Sequence, residues 1–230
     1  MTIHAGILAA GEGSRLARDG FSVPKPLVPV AGVPLVERAA RNLLDAGASS
    51  LTVIFNEAEA DCAAHLARVL PGADLTIFLK TTGSSLESLG EVFARMPPGP
   101  ALVSTVDAFC APAAFAAFVA EARRRGGTVL AVTPLVADEK PLWVKTGEDG
   151  RILELGGADG NCVTAGVYLF SEEVRSLRPL PDLPRLRDFL RWLVIRGGAL
   201  YGVPISEVVD VDRAEDVIMA EDLARRMGER

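Results

Sequence analysis

The first residues that could do chemistry form a glycine-containing loop followed by two basic side chains. An apolar run ending at Leu8 leads into Ala-Ala-Gly-Glu-Gly-Ser-Arg at residues 9–15, and Lys25 then stands between two prolines. Small residues at such a turn leave backbone amide groups open to an anion, and guanidinium and ammonium groups bind phosphate oxygens. The segment therefore predicts a phosphate-binding loop, although two glycines can also form only a tight turn and both cations can be surface charges.

Two well-known phosphate-binding motifs do not match this loop. The dinucleotide fingerprint G-x-G-x-x-G requires Gly or Ala where the chain has Leu16, with a long helix directly afterwards, whereas Pro24 and Pro26 interrupt that region. The ATPase loop G-x-x-x-x-G-K-[ST] is absent from the sequence. The loop is therefore of a different kind.

Acidic residues at two places in the chain could hold a divalent cation. Asp107 follows the buried-strand pattern of residues 101–106, and ligands of open parallel sheets bind beyond the carboxyl ends of the strands. Carboxylate oxygens are the ligands that Mg²⁺ prefers, so Asp107 could hold a metal ion, and Asp210 and Asp212 are further carboxylates late in the chain. The alternatives are a turn at Asp107 and a helix cap at Asp212, since Glu215 stands three residues further on.

The stretch from residue 7 to residue 32 resembles the signature of the sugar-phosphate nucleotidyltransferase family. Its letters are Leu-Ala-Ala-Gly-x-Gly-x-Arg-Leu from residue 8, Pro-Lys-Pro-Leu from residue 24, and Val-x-Gly from residue 30. The resemblance implies Mg²⁺-dependent transfer of an NMP group from an NTP to a small phosphorylated acceptor, with release of pyrophosphate. It implies that Arg15 and Lys25 are the catalytic cations that hold the phosphates. The nucleotide-binding residues that it implies are Leu8, Ala9, Ala10, Gly11, Glu12, Gly13 and Ser14, with Gly83, Ser84 and Ser85 from a later turn.

That later turn has a structural alternative, because Ser84 with Glu87 forms a capping box that opens a helix. The position of Asp107 resembles the family's metal-binding aspartate, and the segment around Asp212 resembles its late acidic segment. The resemblance therefore implies that Asp107 and Asp212 are the metal ligands, with Asp210 in reserve. Relatives usually have Gly before the first of these aspartates, whereas this chain has Val106.

The middle of the chain is expected to hold the acceptor. Residues 165–170 resemble the family's acceptor-side strand, in which a glycine leaves room for the substrate, although a packed strand is the alternative. Upstream, Trp143 and Lys145 are two residues apart and therefore lie on the same face of a strand, where they could contact a phosphorylated sugar. Relatives acting on sugar 1-phosphates often carry lysine where this chain has Leu155, so polyol phosphate and phosphocholine stay open beside sugar phosphate. The predicted acceptor contacts are Trp143, Lys145, Glu154, Gly166 and Tyr168.

Two other functions stay open. A cytidylyl- or guanylyltransferase for the molybdenum cofactor shares the glycine loop, but its usual loop has Asp-Lys rather than Pro-Lys-Pro-Leu. A nucleotide-binding regulatory domain without catalysis is the alternative outside the enzymes, and the presence of Asp107 and Asp212 argues against it. The distance of His4 and His65 from the motifs is no objection to an enzyme, because a phosphate nucleophile is already ionised near neutral pH and needs no general base.

The elements that must position these residues alternate along the chain. Apolar runs rich in Ile, Leu and Val predict buried strands, and the helical patterns between them predict crossovers and a mostly parallel sheet. After Pro134 the pattern changes to short extended segments, two of them joined by Glu-Asp-Gly at residues 148–150, which predicts a hairpin. The apolar runs are residues 3–8, 51–55, 75–79, 101–106 and 129–132.

We therefore expect an α/β fold, a doubly wound and mostly parallel sheet flanked by helices, with a small acceptor-side insertion that contains the hairpin. Residues 1–230 are expected to form one domain. Residues 1–133 would mainly bind the nucleotide, and residues 134–230 would mainly bind the acceptor and supply the second metal ligand.

Composition limits the classes of partner. With 49% hydrophobic and 23% charged residues, the chain has the composition of an ordinary globular protein. A formal net charge of -6 argues against binding nucleic acid, and no apolar run reaches the roughly 18 residues of a membrane span. The three cysteines are widely spaced and include no C-x-x-C pair, which indicates a reducing compartment. We expect a cytoplasmic protein with neither nucleic-acid nor membrane partners, and the sequence leaves its oligomeric state open.

Overall fold

The computed structural model describes residues 2–134 and 141–228. Its strands are β1 (His4–Ala9), β2 (Pro29–Val30), β3 (Val33–Pro34), β4 (Leu51–Phe55), β5 (Leu75–Leu79), β6 (Ala101–Thr105), β7 (Ala108–Cys110), β8 (Thr128–Thr133), β9 (Trp143–Thr146), β10 (Ile152–Leu155), β11 (Cys162–Phe170), β12 (Leu200–Pro204) and β13 (Val208–Asp210). Its α-helices are α1 (Ser14–Arg18), α2 (Leu35–Asp45), α3 (Ala60–Val69), α4 (Ser85–Arg95), α5 (Pro112–Arg125), α6 (Glu172–Arg175), α7 (Leu186–Ile195) and α8 (Ala214–Arg226), and a 3-10 helix spans Lys25–Leu27.

One large sheet organises the described part of the chain. Strands β6, β1, β4 and β5 lie side by side and pair in parallel, and β12 pairs in parallel with β8. Strand β11 runs antiparallel to β6, β8 and β9, and joins the two groups. Strands β9 and β10 form the hairpin that the sequence predicted. Strands from before and after residue 134 thus share one sheet, and the division into two functional halves stays a prediction.

Helices cover both faces of this sheet, which confirms the doubly wound α/β prediction. Successive strand residues point to opposite faces. Ile7 therefore packs in one apolar cluster with residues of α2, α3, α5 and α8, whereas Leu8 packs in a second cluster with residues of α4 and α7. No helix within residues 2–134 and 141–228 is long and apolar enough to cross a membrane.

A second, two-stranded sheet lies at the end of β6 and was not predicted from the sequence. Strands β7 and β13 pair antiparallel, with Ala108 opposite Asp210 and Cys110 opposite Val208. The residues on both strands are mostly apolar, and Ala108, Phe109, Val208 and Val209 are buried in the main core. This small sheet brings the chain segments after β6 and before α8 together.

Candidate active site

The centre of the site is the ammonium group of Lys25, which lies between two carboxylates. Its Nζ is 2.7 Å from Oδ2 of Asp107 and 2.5 Å from Oδ1 of Asp212. The lysine side chain is only 8% exposed, whereas those of Asp107 and Asp212 are 24% and 31% exposed. The structure therefore brings together a predicted catalytic cation and both predicted metal ligands, which are far apart in the sequence.

Arg15 extends the same cluster. Its NH1 donates to Oδ2 of Asp212 at 2.5 Å, so each oxygen of this carboxylate accepts from a different cation. Gly13, at the start of α1, has a φ of 58°, and a Cβ there would lie 2.7 Å from the Cβ of Lys25. Glycine at this position thus permits both the left-handed backbone and the close packing of the loop against Lys25.

The β7–β13 sheet explains why the two aspartates meet. Asp210 pairs with Ala108, and one step further the amide of Val211 donates to the carbonyl oxygen of Asp107 at 2.9 Å. The side chains of Asp107 and Asp212 can therefore converge on one cation.

Asp212 does not form the helix cap that was its structural alternative. Helix α8 begins at Ala214, and the buried carboxylate of Asp216 accepts from the amides of Asp212 and Arg213 at 2.9 and 2.8 Å. The amide of Ala214 donates to Oδ2 of Asp19 at 3.0 Å. The structural alternative of an Asp212–Glu215 cap is not what the structure shows: Arg213 is the N-cap residue with Asp216 as its partner, and the side chain of Asp212 contacts Lys25 and Arg15.

Electrostatics stabilise the charged forms of the cluster. Burial opposes the charge of Lys25, but the two neighbouring carboxylates outweigh it and raise the pKa of the ammonium group. Burial likewise opposes ionisation of Asp107, yet the charge and hydrogen bond of Lys25 lower the pKa of its carboxyl group. Both groups are therefore charged near neutral pH.

Val106, which stands where relatives usually have glycine, lies in the apolar core. It is 6% exposed, and its amide donates to the carbonyl oxygen of Leu8 at 3.2 Å. The hydrogen bonding between β1 and β6 therefore continues one residue beyond β6, directly before Asp107.

The other predicted nucleotide-binding residues flank this cluster. Leu8, Ala9 and Ala10 are buried at the end of β1. Exposed residues occur in both predicted loops, and they are Gly11, Glu12, Ser14, Gly83 and Ser85. The predicted cap by Ser84 is confirmed, because its side chain accepts from the Glu87 amide at 3.1 Å. The reciprocal bond of the capping box differs, since Glu87 accepts from the amide of Gly83, one residue before the cap, at 2.7 Å. Capping does not exclude nucleotide contact by this turn, which stays a prediction.

The donor set fits magnesium. Mg²⁺ is usually bound by one or two protein carboxylates, together with water and substrate phosphates. Asp107 and Asp212 converge on one cationic group, and the described residues contain no cluster of three or more Asp, Glu, His or Cys side chains suited to a metal. A two-carboxylate site completed by phosphate oxygens is therefore the arrangement that these residues could provide.

A known family matches most of the chain. The MobA-like NTP transferase domain matches residues 5–173. The chain belongs to this family. Nucleotidyl transfer is therefore its class of chemistry, which confirms the resemblance seen in the glycine loop. The match includes Lys25 and Asp107, while Asp212 lies beyond it.

Individual relatives of this MobA-like chain carry more specific names. It is 29% identical over 239 residues to the bifunctional IPC transferase and DIPP synthase of Rubrobacter xylanophilus, covering 96% of this chain and 52% of that protein. The chain thus spans about half the length of this relative.

Two solved structures show the shared fold. The inositol-1-phosphate CTP transferase from T. maritima has a TM-score of 0.81 at 20% identity, covering 97% of this chain and 96% of that one. A putative glucose-1-phosphate thymidylyltransferase from Bacillus anthracis has the same TM-score and coverage at 19% identity.

A cavity of about 250 Å³ adjoins the ion cluster of the MobA-like domain. Arg15, Asp107 and Asp212 form part of its wall, together with Gly166 and Tyr168 of the predicted acceptor strand. Gly166 has a φ of 73°, and a Cβ there would lie 2.6 Å from Oγ1 of Thr105. Glycine therefore has a structural role here, and it also keeps the cavity wall free of a side chain.

The remaining predicted acceptor contacts lie outside this cavity wall. Trp143 is half-buried and Lys145 is exposed on β9, where Lys145 pairs in register with Glu154 of β10. The structure does not bring these three residues to the ion cluster, and their contact with an acceptor stays a prediction.

Two residues of the site were missed by sequence reasoning. Asp216 fixes the backbone of Asp212, and its signal was an acidic residue in the first turn of the last helix, one position after the glutamate that was chosen. Arg187 lines the cavity from the start of α7, and its sequence carries no motif that sets it apart from the neighbouring Arg185 and Arg191.

Proposed function

We propose that this protein transfers CMP from CTP to inositol 1-phosphate or a closely related polyol phosphate, with release of pyrophosphate. The observation that carries nucleotidyl transfer is the Lys25 ammonium group held between Asp107 and Asp212, with Arg15 on the second oxygen of Asp212. Two cations and two carboxylates beside a glycine loop suit a phosphate-rich substrate bound with a metal ion.

The choice of CTP and a polyol phosphate is supported by the relatives. A solved structure with the same fold is named for inositol 1-phosphate and CTP, and the relative from Rubrobacter xylanophilus is named an IPC transferase. The buried apolar Leu155, where lysine often stands in enzymes of sugar 1-phosphates, favours a polyol phosphate over a sugar 1-phosphate.

The proposed reaction is an in-line attack by an acceptor phosphate oxygen on the α-phosphorus of the nucleotide. The new bond joins that oxygen to phosphorus, and the bond to pyrophosphate breaks. Because the acceptor phosphate is already ionised, the residues act by positioning and by charge, not by proton transfer. Arg15 and Lys25 would exchange their carboxylate partners for phosphate oxygens and stabilise the charge that develops on pyrophosphate.

Magnesium is part of this proposal. Asp107 and Asp212 would hold it, and Asp216 would keep Asp212 in place through its backbone amide. Bound Mg²⁺ supplies charge neutralisation at the phosphate oxygens.

Thermal shift with each of the four NTPs and Mg²⁺ tests nucleotide binding. We expect CTP to raise the melting temperature most, since a ligand at 100 times its Kd stabilises the native state by about 2.7 kcal/mol. Pyrophosphate release is then measured with inositol 1-phosphate, glucose 1-phosphate and phosphocholine, with Lys25→Met as the inactive control. Binding of an NTP without pyrophosphate release across this panel would favour the regulatory-domain alternative, and turnover with glucose 1-phosphate alone would refute the polyol assignment.

A further inference from the structure

The cavity beside the ion cluster has the properties of an acceptor chamber. Gly166 and Tyr168 of β11 line it. Among the predicted nucleotide-binding residues, only Ser85 contributes to its wall. A volume of about 250 Å³ is close to the size of pockets that hold small molecules. The inference that follows rests on the proposed nucleotidyl transfer.

An acceptor phosphate in this chamber needs a cation that does not also serve the nucleotide. Lys25 and Arg15 contact the two aspartates and are proposed to serve the nucleotide. One wall of the chamber is formed by the end of β13 and the start of α8. Arg213 lies on this wall, together with the acidic residues Asp210, Asp212, Glu215 and Asp216. That wall carries more negative than positive charge and is a poor place for a phosphate dianion without a metal.

Arg187 reaches the chamber from the other side of the sheet. Helix α7 packs in the apolar cluster with Leu8, whereas α8 packs in the cluster with Ile7, so the two helices approach the cavity from opposite faces. Arg187 is half-buried and lines the cavity beside Tyr168. Burial raises the pKa of the Tyr168 hydroxyl, the charges of Asp210 and Asp107 add to this effect, and the positive charge of Arg187 opposes it.

The start of α7 is held firmly in place. The amide of Leu186 donates to Oγ of Ser85 at 3.1 Å, which ties the first residue of α7 to the first residue of α4. Leu186 is 5% exposed and Phe189 is fully buried. Because residues on both sides are anchored, the backbone of Arg187 is fixed and its guanidinium group can be oriented at low entropic cost.

We propose that Arg187 binds the phosphate group of the acceptor and thereby selects a phosphomonoester of a small polyol over the neutral polyol. A guanidinium group donates two parallel hydrogen bonds to two oxygens of a phosphate. It thereby neutralises part of the phosphate charge and orients the third oxygen. Arg187 on one wall and the cation held by the aspartates on the other would then enclose the attacking phosphate between them. Arg187 acts as a specificity-determining residue for the acceptor, with no contact to the nucleotide base.

Equilibrium binding tests this proposal without turnover. Binding of inositol 1-phosphate and of inorganic phosphate is measured by calorimetry for the wild type, Arg187→Gln, Arg187→Lys and Arg191→Gln. Arg191 is the matched control because it lies one turn further along α7, is exposed and is not part of the cavity wall. We expect Arg187→Gln to weaken both ligands at least about tenfold, Arg187→Lys to recover part of the loss, and Arg191→Gln to change neither.

Turnover adds a readout that a merely structural role would not give. Arg187→Gln should raise KM for inositol 1-phosphate while KM for CTP and the melting temperature stay as in the wild type. Wild-type affinity for both phosphate probes in Arg187→Gln would overturn the proposal, as would equal weakening in Arg191→Gln. A wild-type protein that binds the probes through Arg187 yet binds no NTP would refute the proposed function and leave the phosphate site standing.

Discussion

Replacing Lys25 with methionine removes the ammonium group that Asp107 and Asp212 share, while it keeps most of the side-chain volume. Lys25 is 8% exposed, and its two partners are 24% and 31% exposed. Removing one member of a buried ion pair costs about 3–5 kcal/mol, and the partial exposure of the carboxylates lowers this to about 2–4 kcal/mol at pH 7. For a chain of this length the melting temperature should fall by about 4–16 °C.

The pH dependence gives this prediction a distinctive sign. In the wild type Lys25 lowers the pKa of Asp107. The ion pair of these two residues therefore stabilises the fold above the ordinary carboxyl pKa, and this stabilisation is lost as pH falls through the lowered pKa. In Lys25→Met the charge and hydrogen bond of Lys25 are gone, so the pKa of Asp107 should be higher than in the wild type, and ionisation of Asp107 should contribute less to stability at neutral pH. The stability difference between the two proteins should therefore shrink between pH 7 and about pH 4.

Urea unfolding of both proteins at pH 7 and pH 4.5 measures this difference, and pyrophosphate release should fall at least about tenfold. Lys80→Met is the matched control. Lys80 also contacts two carboxylates, with Nζ 2.7 Å from Glu91 and 3.7 Å from Glu87, but it is 38% exposed. We expect a much smaller effect there, because solvent screens the pairs. Wild-type stability of Lys25→Met at pH 7, or a difference that grows towards pH 4.5, would refute the reasoning.

Three further predictions concern separate parts of the fold. Asp107→Asn and Asp212→Asn should each raise the Mg²⁺ concentration needed for half-maximal pyrophosphate release at least about tenfold, since the amide keeps the shape and loses the charge. An unchanged Mg²⁺ titration would exclude a metal role. Gly166→Ala should lower the free energy of unfolding by about 1–3 kcal/mol in urea titrations, because of its positive φ and the contact with a threonine hydroxyl. Burial raises the pKa of the Cys110 thiol to about 12, so a thiol reagent at pH 8 should label it only after unfolding, as peptide mass spectrometry would show.

Much of the fold was predictable because its signals are local. The apolar runs and the helical patterns between them fixed the alternation of strands and helices, and the Glu-Asp-Gly segment at residues 148–150 marked the hairpin. The helix cap by Ser84 was also predictable, since Ser84 and its partner Glu87 lie within one helical turn. The glycine loop with Lys25 was sufficient to indicate the family.

The assignment at the start of α8 shows where local reasoning fails. Glu215 and Asp216 are adjacent acidic residues. Glu215 stands three residues after Asp212 and Asp216 three residues after Arg213, and either pair is compatible with a helix start. In the structure Arg213 is the N-cap residue and Asp216 accepts from its amide, whereas Asp212 lies before the helix, two residues after β13. Strands β7 and β13 are three residues each, too short to give a periodic pattern that predicts them.

The sequence by itself determined the residue types of the site: a glycine loop, two cations and two aspartates suited to phosphate and metal chemistry. Only the tertiary structure decided that Lys25 contacts aspartates 82 and 187 residues away, and that Arg187 enters the same cavity from the other face of the sheet. The physical reason is that secondary structure follows from neighbours in the chain, whereas a site at the end of a parallel sheet collects side chains through strand pairing across long separations.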